Sequence, residues 1–221
     1  MSLTQTGIIL RCHPEENLVY KAYVLMSKKY NIPPLDIYLQ KIIPYDAGLG
    51  GGSADAAFML KLINDLCDCN IPLSELEKLA GSIGSDCPFF IQNKPVIATG
   101  TGNIFKPSGI SLKGYTIIIV KPPVAVSTKE AYSNVIPRKT DFSLDKLSSL
   151  HVSEWKNVLK NDFEQSVFAK YPIIGDIKTQ LYLTGAEYAA MSGSGSSVFG
   201  LFKEDVTLPT FTGCFVWKGK L

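Results

Sequence analysis

The sequence predicts a mixed helix-and-strand chain folded as two regions. Three observations predict it. Helix-like stretches with recognisable start signals are interleaved with short β-type runs. The rhythm changes near residue 109, where a glycine-rich stretch ends and the strand-like YTIIIVKPP begins. The length of 221 residues, 46% of them hydrophobic, suffices for one large core or two small ones.

The elements follow in chain order. PEENLVYKAYVLMSKKY opens on Pro14, Glu15 and Glu16, which suit a helix N-terminus, and sets Leu18, Ala22, Leu25 and Met26 on one face. After Pro33 and Pro34, DIYLQK alternates Ile37 and Leu39 with polar residues, a half-buried strand leading to Pro44. PYDAGLGGGSADAA then packs four glycines into five positions. The segment from Ala54 to Asp65 contains no breaker and is apolar around most of its circumference, so it reads as a buried helix. Ser74 and Glu77 form a capping-box pattern for a further short helix, and Gly81, Gly84 and Pro88 bracket a loop, GSIGSDCPFF. Short strand-like runs extend to Gly109. In the second region, residues 162–170 and 173–184 read as helices, EYAAM and SVFGLF as strands about the glycine turn SGSGS, and TFTGCFVWKGKL as a last strand.

Composition narrows the partners. A net charge of +2 with no run of like charges argues against nucleic acid or an anionic membrane surface and for a small-molecule substrate. No stretch is apolar over the length of a membrane span. Five cysteines without a regular framework fit reduced thiols in the cytoplasm. Cys67 and Cys69 stand one residue apart, closer than common zinc spacing, and no metal site is expected from them or from His13 and His151.

Three stretches bear on chemistry. A strand, then a loop with Gly48, Leu49, Gly50, Gly51 and Gly52, then Ser53 as N-cap would aim several backbone N–H groups and the positive end of a helix dipole at one spot, suited to phosphate. Glycine serves there because it permits φ > 0 and close backbone approach. The pattern lacks the Gly-Lys-Ser/Thr ending of a Walker loop and the third glycine of a dinucleotide fingerprint. Asp86, in GSDCPFF, is a carboxylate in a loop, and by itself also reads as a turn or cap residue. Gly193 and Gly195, in MSGSGSSVFG, could admit a second backbone loop to the same anion or simply form a hairpin turn.

In this order the three stretches resemble the phosphate-loop motif, the catalytic-aspartate loop and the third motif of the GHMP small-molecule kinases. Pro44-x-x-x-Gly48-Leu49-Gly50-Gly51-Gly52-Ser53 matches the phosphate-loop motif. The triple glycine before Ser-x-Asp-Ala-Ala, the helix Asn17–Ala22, the loop Gly84–Phe90 and Met191–Gly195 are similar to one branch, whose substrate is a cytidine diphosphate-linked methylerythritol. The resemblance runs from about residue 14 to the C-terminus. It implies an α+β fold: an N-terminal, ATP-binding domain like ribosomal protein S5 domain 2 over residues 1–109, incomplete at its start, and a ferredoxin-like C-terminal domain over 110–221, with the active site between them. It implies transfer of the γ-phosphate of ATP, with Mg²⁺, to the substrate's 2-hydroxyl for isoprenoid synthesis; the alternatives are another substrate of the same superfamily or a non-catalytic nucleotide-binding module. Gly48 to Ser53 would cradle the ATP phosphates, Asn17 and Lys41 would contact the nucleotide, and Asp86 would orient or deprotonate the hydroxyl. Thr128 and Tyr132, in STKEAY, would hold the cytidine end, and Gly193 and Gly195 would border the substrate; Tyr132 equally reads as an exposed helix tyrosine.

The family's first motif, Lys-x-Asn-Leu-x-Leu, and the tyrosine-histidine pair that follows it have no counterpart in these residues. The expectation is therefore a truncated chain with impaired activity, because a positioned charge of this kind is commonly worth about 10² in rate. An exposed sheet edge at residues 36–41 would then favour self-association. Ala54 stands where the family often has a second serine.

Overall fold

Asn17, not Pro14, starts the first α-helix in the computed structural model of the chain, which describes residues 1–10, 12–133, 135 and 142–221. Pro14–Glu16 form a separate 3₁₀ turn, and the Asn17 side chain accepts the Val19 N–H at 2.9 Å to cap α1 (Leu18–Lys29). The chain divides into two units. The first comprises residues 1–45 and 50–108; the second comprises residues 46–49 and 109–221.

In the first unit β1 (Ser2–Gly7) pairs in parallel with β2 (Asp36–Lys41), from Ser2 opposite Asp36 to Gly7 opposite Lys41, with α1 in the crossover. Alternation buries Ile37 and Lys41 on one face of β2 and leaves Tyr38 out. Next come α2 (Gly51–Leu66), α3 (Leu73–Ile83), α4 (Cys87–Gln92) and the antiparallel hairpin of β3 (Val96–Thr99) and β4 (Ile104–Pro107). Val19, Ala22 and Met26 of α1 pack with Ala56, Leu60 and Ile63 of α2, Leu76 and Leu79 of α3, and Ile91 of α4.

Several sequence expectations change here. The helix after the glycines is only half buried: Phe58, Leu62 and Leu66 lie exposed along a groove beside β2. Ser74 and Glu77 make no capping box, because Pro72 occupies the cap position and Glu77 instead accepts from Gln92 Nε2 at 2.5 Å. The expected loop 81–90 shrinks to Gly84–Asp86. Gly81 belongs to α3, and Pro88 sits in the first turn of α4, where its missing N–H costs nothing.

The second unit is built on an antiparallel sheet in the order β6-β7-β5-β8, formed by β5 (Thr116–Lys121), β6 (Tyr188–Met191), β7 (Val198–Phe202) and β8 (Phe215–Lys220). Between β5 and β6 run α5 (Thr128–Ser133), α6 (Trp155–Val158), α7 (Glu164–Lys170) and α8 (Pro172–Leu183). One face packs Ile118, Val120 and Phe202 against Ile174, Ile177 and Leu181 of α8; the other gathers Leu147, Trp155, Tyr188 and Leu201. The strand order is that of a split βαβ, but residues 203–214, between β7 and β8, carry no helix. The fold is α+β.

Candidate active site

In the first unit the site starts from one backbone dihedral. Gly50 takes φ +64° and ψ 18°, left-handed, and so serves as the N-cap of α2; the helix begins at Gly51, three residues before its expected start. Ser53 is therefore not the cap. Of the glycines in this stretch, Gly48 and Gly50 have positive φ, whereas Gly51 and Gly52 are helical. A Cβ on Gly50 would meet the Phe90 ring at 2.9 Å, and one on Gly51 would come within 3.1 Å of Lys41 Nζ. Two glycines in a helical turn cost about 1–2 kcal/mol against alanine, so this turn is held for something other than stability.

Helix geometry leaves the N–H groups of Gly51, Gly52 and Ser53 without intrahelical acceptors, and among the described residues none of them meets another protein acceptor. The first return bond is Ala54 N–H to Gly50 O, at 2.8 Å. Beneath this turn lies Lys41, only 3% exposed, with Nζ 2.5 Å from Asp55 Oδ2. Three convergent donors, a helix dipole and a fixed cation suit the oxygens of a polyphosphate.

The Asp86 loop lies beside the same turn. Cys87 is buried, with the Ser53 side chain near its thiol; burial pushes the thiol up, that neighbour works against the rise, and the Asp86 carboxylate adds to it. Asp86 is exposed and makes no side-chain cap to α4. Its carboxylate thus stands beside the α2 turn. Leu18, next to Asn17, lies 3.6 Å from where a Gly52 Cβ would be, so the start of α1 borders the turn as well. Asn17 itself is buried and commits its carbonyl oxygen to capping α1.

In the second unit the glycine loop 192–197 packs on residues 46–49. A Cβ on Gly48 would fall 2.0 Å from Ser192 O, and one on Gly193 would lie 3.3 Å from Gly48 O. Ser192 Oγ donates to Gly48 O at 2.7 Å, and Ser197 N–H to Ala47 O at 3.1 Å. Six residues separate β6 from β7, so this is no tight hairpin turn. Thr128 Oγ1 lies 3.4 Å from Ser194 Oγ, which brings Thr128 to the loop. Tyr132 is 64% exposed, and its ring meets Phe163 edge-on with centroids 4.9 Å apart. Lys121 donates to Pro122 O and Val124 O; burial pulls its ammonium down while the Asp46 carboxylate opposes the shift.

Comparison with known proteins decides the family. Residues 17–94 match the GHMP kinases N terminal domain, and residues 144–209 match the GHMP kinases C terminal domain. The chain belongs to the GHMP kinases. It is 57% identical over 221 residues to the 4-diphosphocytidyl-2-C-methyl-D-erythritol kinase of Parabacteroides distasonis, an alignment covering 99% of this chain and 82% of the relative. Identity to the protein of the same name from Bacteroides thetaiotaomicron is 52%, covering 100% of this chain and 81% of that one. A crystal structure of 4-(cytidine 5'-diphospho)-2C-methyl-D-erythritol kinase aligns with a TM-score of 0.74 at 29% identity, over 90% of this chain and 72% of that one.

As a GHMP kinase the chain is an ATP-dependent small-molecule kinase; Gly50 to Gly52 fall in its first structural unit, and Gly48, Gly193 and Gly195 in its second. Sequence reasoning missed Asp55, Asn161 and Glu164 of this kinase, each bonded to a glycine-bearing segment or to the lysine beneath one. Asp55 was legible only as a helix acid, and Asn161 and Glu164 lie far in sequence from what they hold. Among the described residues no helix is long and apolar enough to cross a membrane.

Proposed function

We propose that this kinase transfers the γ-phosphate of ATP to the 2-hydroxyl of 4-diphosphocytidyl-2-C-methyl-D-erythritol, in the cytoplasm, where its five free thiols stay reduced. The observation that carries the phosphoryl half is the run of unspent N–H groups at Gly51, Gly52 and Ser53 above the Lys41 ammonium. The substrate half is supported by relatives of that name at 57% and 52% identity.

The α2 turn and Lys41 bind the phosphates, where fixed donors stabilise charge on the transferring group without reorganising. Asp86, exposed beside that turn, orients the acceptor hydroxyl and takes its proton. Mg²⁺ bound with ATP would supply neutralisation of phosphate charge at the turn of Gly51, Gly52 and Ser53. Thr128 and Tyr132 take the cytidine end, with the Tyr132 ring offering a stacking face.

ADP release in the presence of Mg-ATP and candidate acceptors tests the reading. The cytidine diphosphate compound is expected to be turned over in preference to homoserine or mevalonate; preference for either of those would replace the substrate assignment. Asp86→Asn is expected to lower kcat about 100-fold or more with nucleotide affinity unchanged. Full turnover in that variant would return Asp86 to a turn residue.

A further inference from the structure

The segment leading into α7 spends its polar groups on the second glycine loop. Asn161 Nδ2 donates to Met191 O and to Gly193 O, each at 2.8 Å, while its Oδ1 accepts the Phe163 N–H at 3.0 Å. Glu164 Oε1 accepts the Met191 N–H at 2.8 Å, and its Oε2 takes Lys178 Nζ at 2.6 Å. Between these two side chains stands Phe163, whose ring backs Tyr132.

One amide that bridges two carbonyls two residues apart fixes the backbone between them. That backbone belongs to Ser192, whose hydroxyl reaches Gly48 O. The loop has other ties: Ser192 N–H to Ser197 O at 2.8 Å, Gly195 N–H to Ser192 O at 2.9 Å, and Ser197 N–H to Ala47 O. Loss of the Asn161 amide therefore moves the loop rather than melting it. Removing a donor from two carbonyls costs each a hydrogen bond, whereas a carboxylate in its place adds repulsion.

We infer that Asn161 is a positioning residue for phosphoryl-acceptor binding, acting through loop 192–197, on which Thr128 also rests. Phe163 extends the same support to Tyr132, so one short segment aligns both acceptor-side elements. The inference rests on the proposed acceptor for its ligand, but its mechanical half does not depend on it.

The test uses Asn161→Asp, which keeps the shape and the acceptor for Phe163 N–H but loses both donors. Two measurements are made on the same protein: amide hydrogen exchange of the 191–197 peptide, and calorimetric affinity for 4-diphosphocytidyl-2-C-methyl-D-erythritol and, separately, for a non-hydrolysable ATP analogue. Expected are faster exchange in that peptide, affinity for the acceptor at least about tenfold weaker, about 1.4 kcal/mol, and nucleotide affinity within about twofold. Asn161→Gln, with its donor retained one methylene farther out, is expected to recover part of the acceptor affinity. Unchanged exchange overturns the positioning role, and faster exchange with unchanged acceptor affinity overturns its link to the acceptor. If the unmodified protein does not bind the acceptor, the proposed substrate fails, and the exchange data still decide whether Asn161 holds the loop. Should Asn161→Asp not fold, Asn161→Ala is judged by the same two measurements.

Discussion

The two glycine-rich stretches look alike in sequence and differ in what their backbones are doing. At the start of α2, three consecutive N–H groups are left unspent and the surrounding side chains press in from below. In loop 192–197 the N–H groups of Ser192, Gly195 and Ser197 are already used, and Asn161 takes the carbonyls of Met191 and Gly193. Glycine in the first stretch keeps a surface open for an anion. In the second, Gly193 lets its loop touch residues 46–49 of the same unit, and Gly48, at the head of the first stretch, serves that same contact against Ser192 O. A glycine count cannot separate these jobs; the bonding of the neighbouring N–H groups does.

Substitutions at the two kinds of glycine should therefore fail in opposite ways. The largest effect is expected at Gly48→Ala, where the φ of +68° strains any side chain and the new methyl would overlap Ser192 O. Left-handed strain of about 1–2 kcal/mol plus the displacement of packed backbone predicts a loss near 3 kcal/mol in urea unfolding. A loss below about 1 kcal/mol would mean the loops do not depend on that contact. Gly52→Ala sharpens the contrast, because Gly52 is helical, exposed and has nothing nearer than 3.6 Å to its added methyl. Stability is expected to hold or rise by up to about 1 kcal/mol, while the affinity for an ATP analogue falls about tenfold as the methyl crowds the approach to the N–H groups. A variant that binds nucleotide as before would break the open-surface account. The smallest effect belongs to Thr128→Ala. Its long, exposed contact with Ser194 predicts a stability change within about 0.5 kcal/mol in the same urea assay, and a larger one would give Thr128 a structural role.

Much of the second unit was legible from pattern. β5 announces itself by an apolar run stopped at Pro122 and Pro123, and α8 opens on Pro172 and carries Ile174, Ile177 and Leu181 at helical spacing. The first unit was harder. β1, SLTQTG, is too polar to show alternation, and only its pairing with β2 makes it a strand. α3 runs through Gly81, where α4's Pro88 packs 3.6 Å from the missing methyl, so tertiary contact overrode a breaker. The start of α2 depends on a left-handed Gly50 that no local pattern distinguishes from its neighbours. Asp86 and the glycines were visible as residue types, whereas the bonds of Asp55 and Asn161 exist only once distant segments meet.

The alternation of β2 has a further consequence. Ile37, Leu39 and Lys41 share one face, so the residue that secures the hydrophobic contact and the residue that brings the ammonium under the α2 turn are set by the same phase of one short strand. A slip of one residue along the whole strand would turn Ile37, Leu39 and Lys41 outward together. The positive charge of the site and the strand's hold on the core would then be lost in the same event.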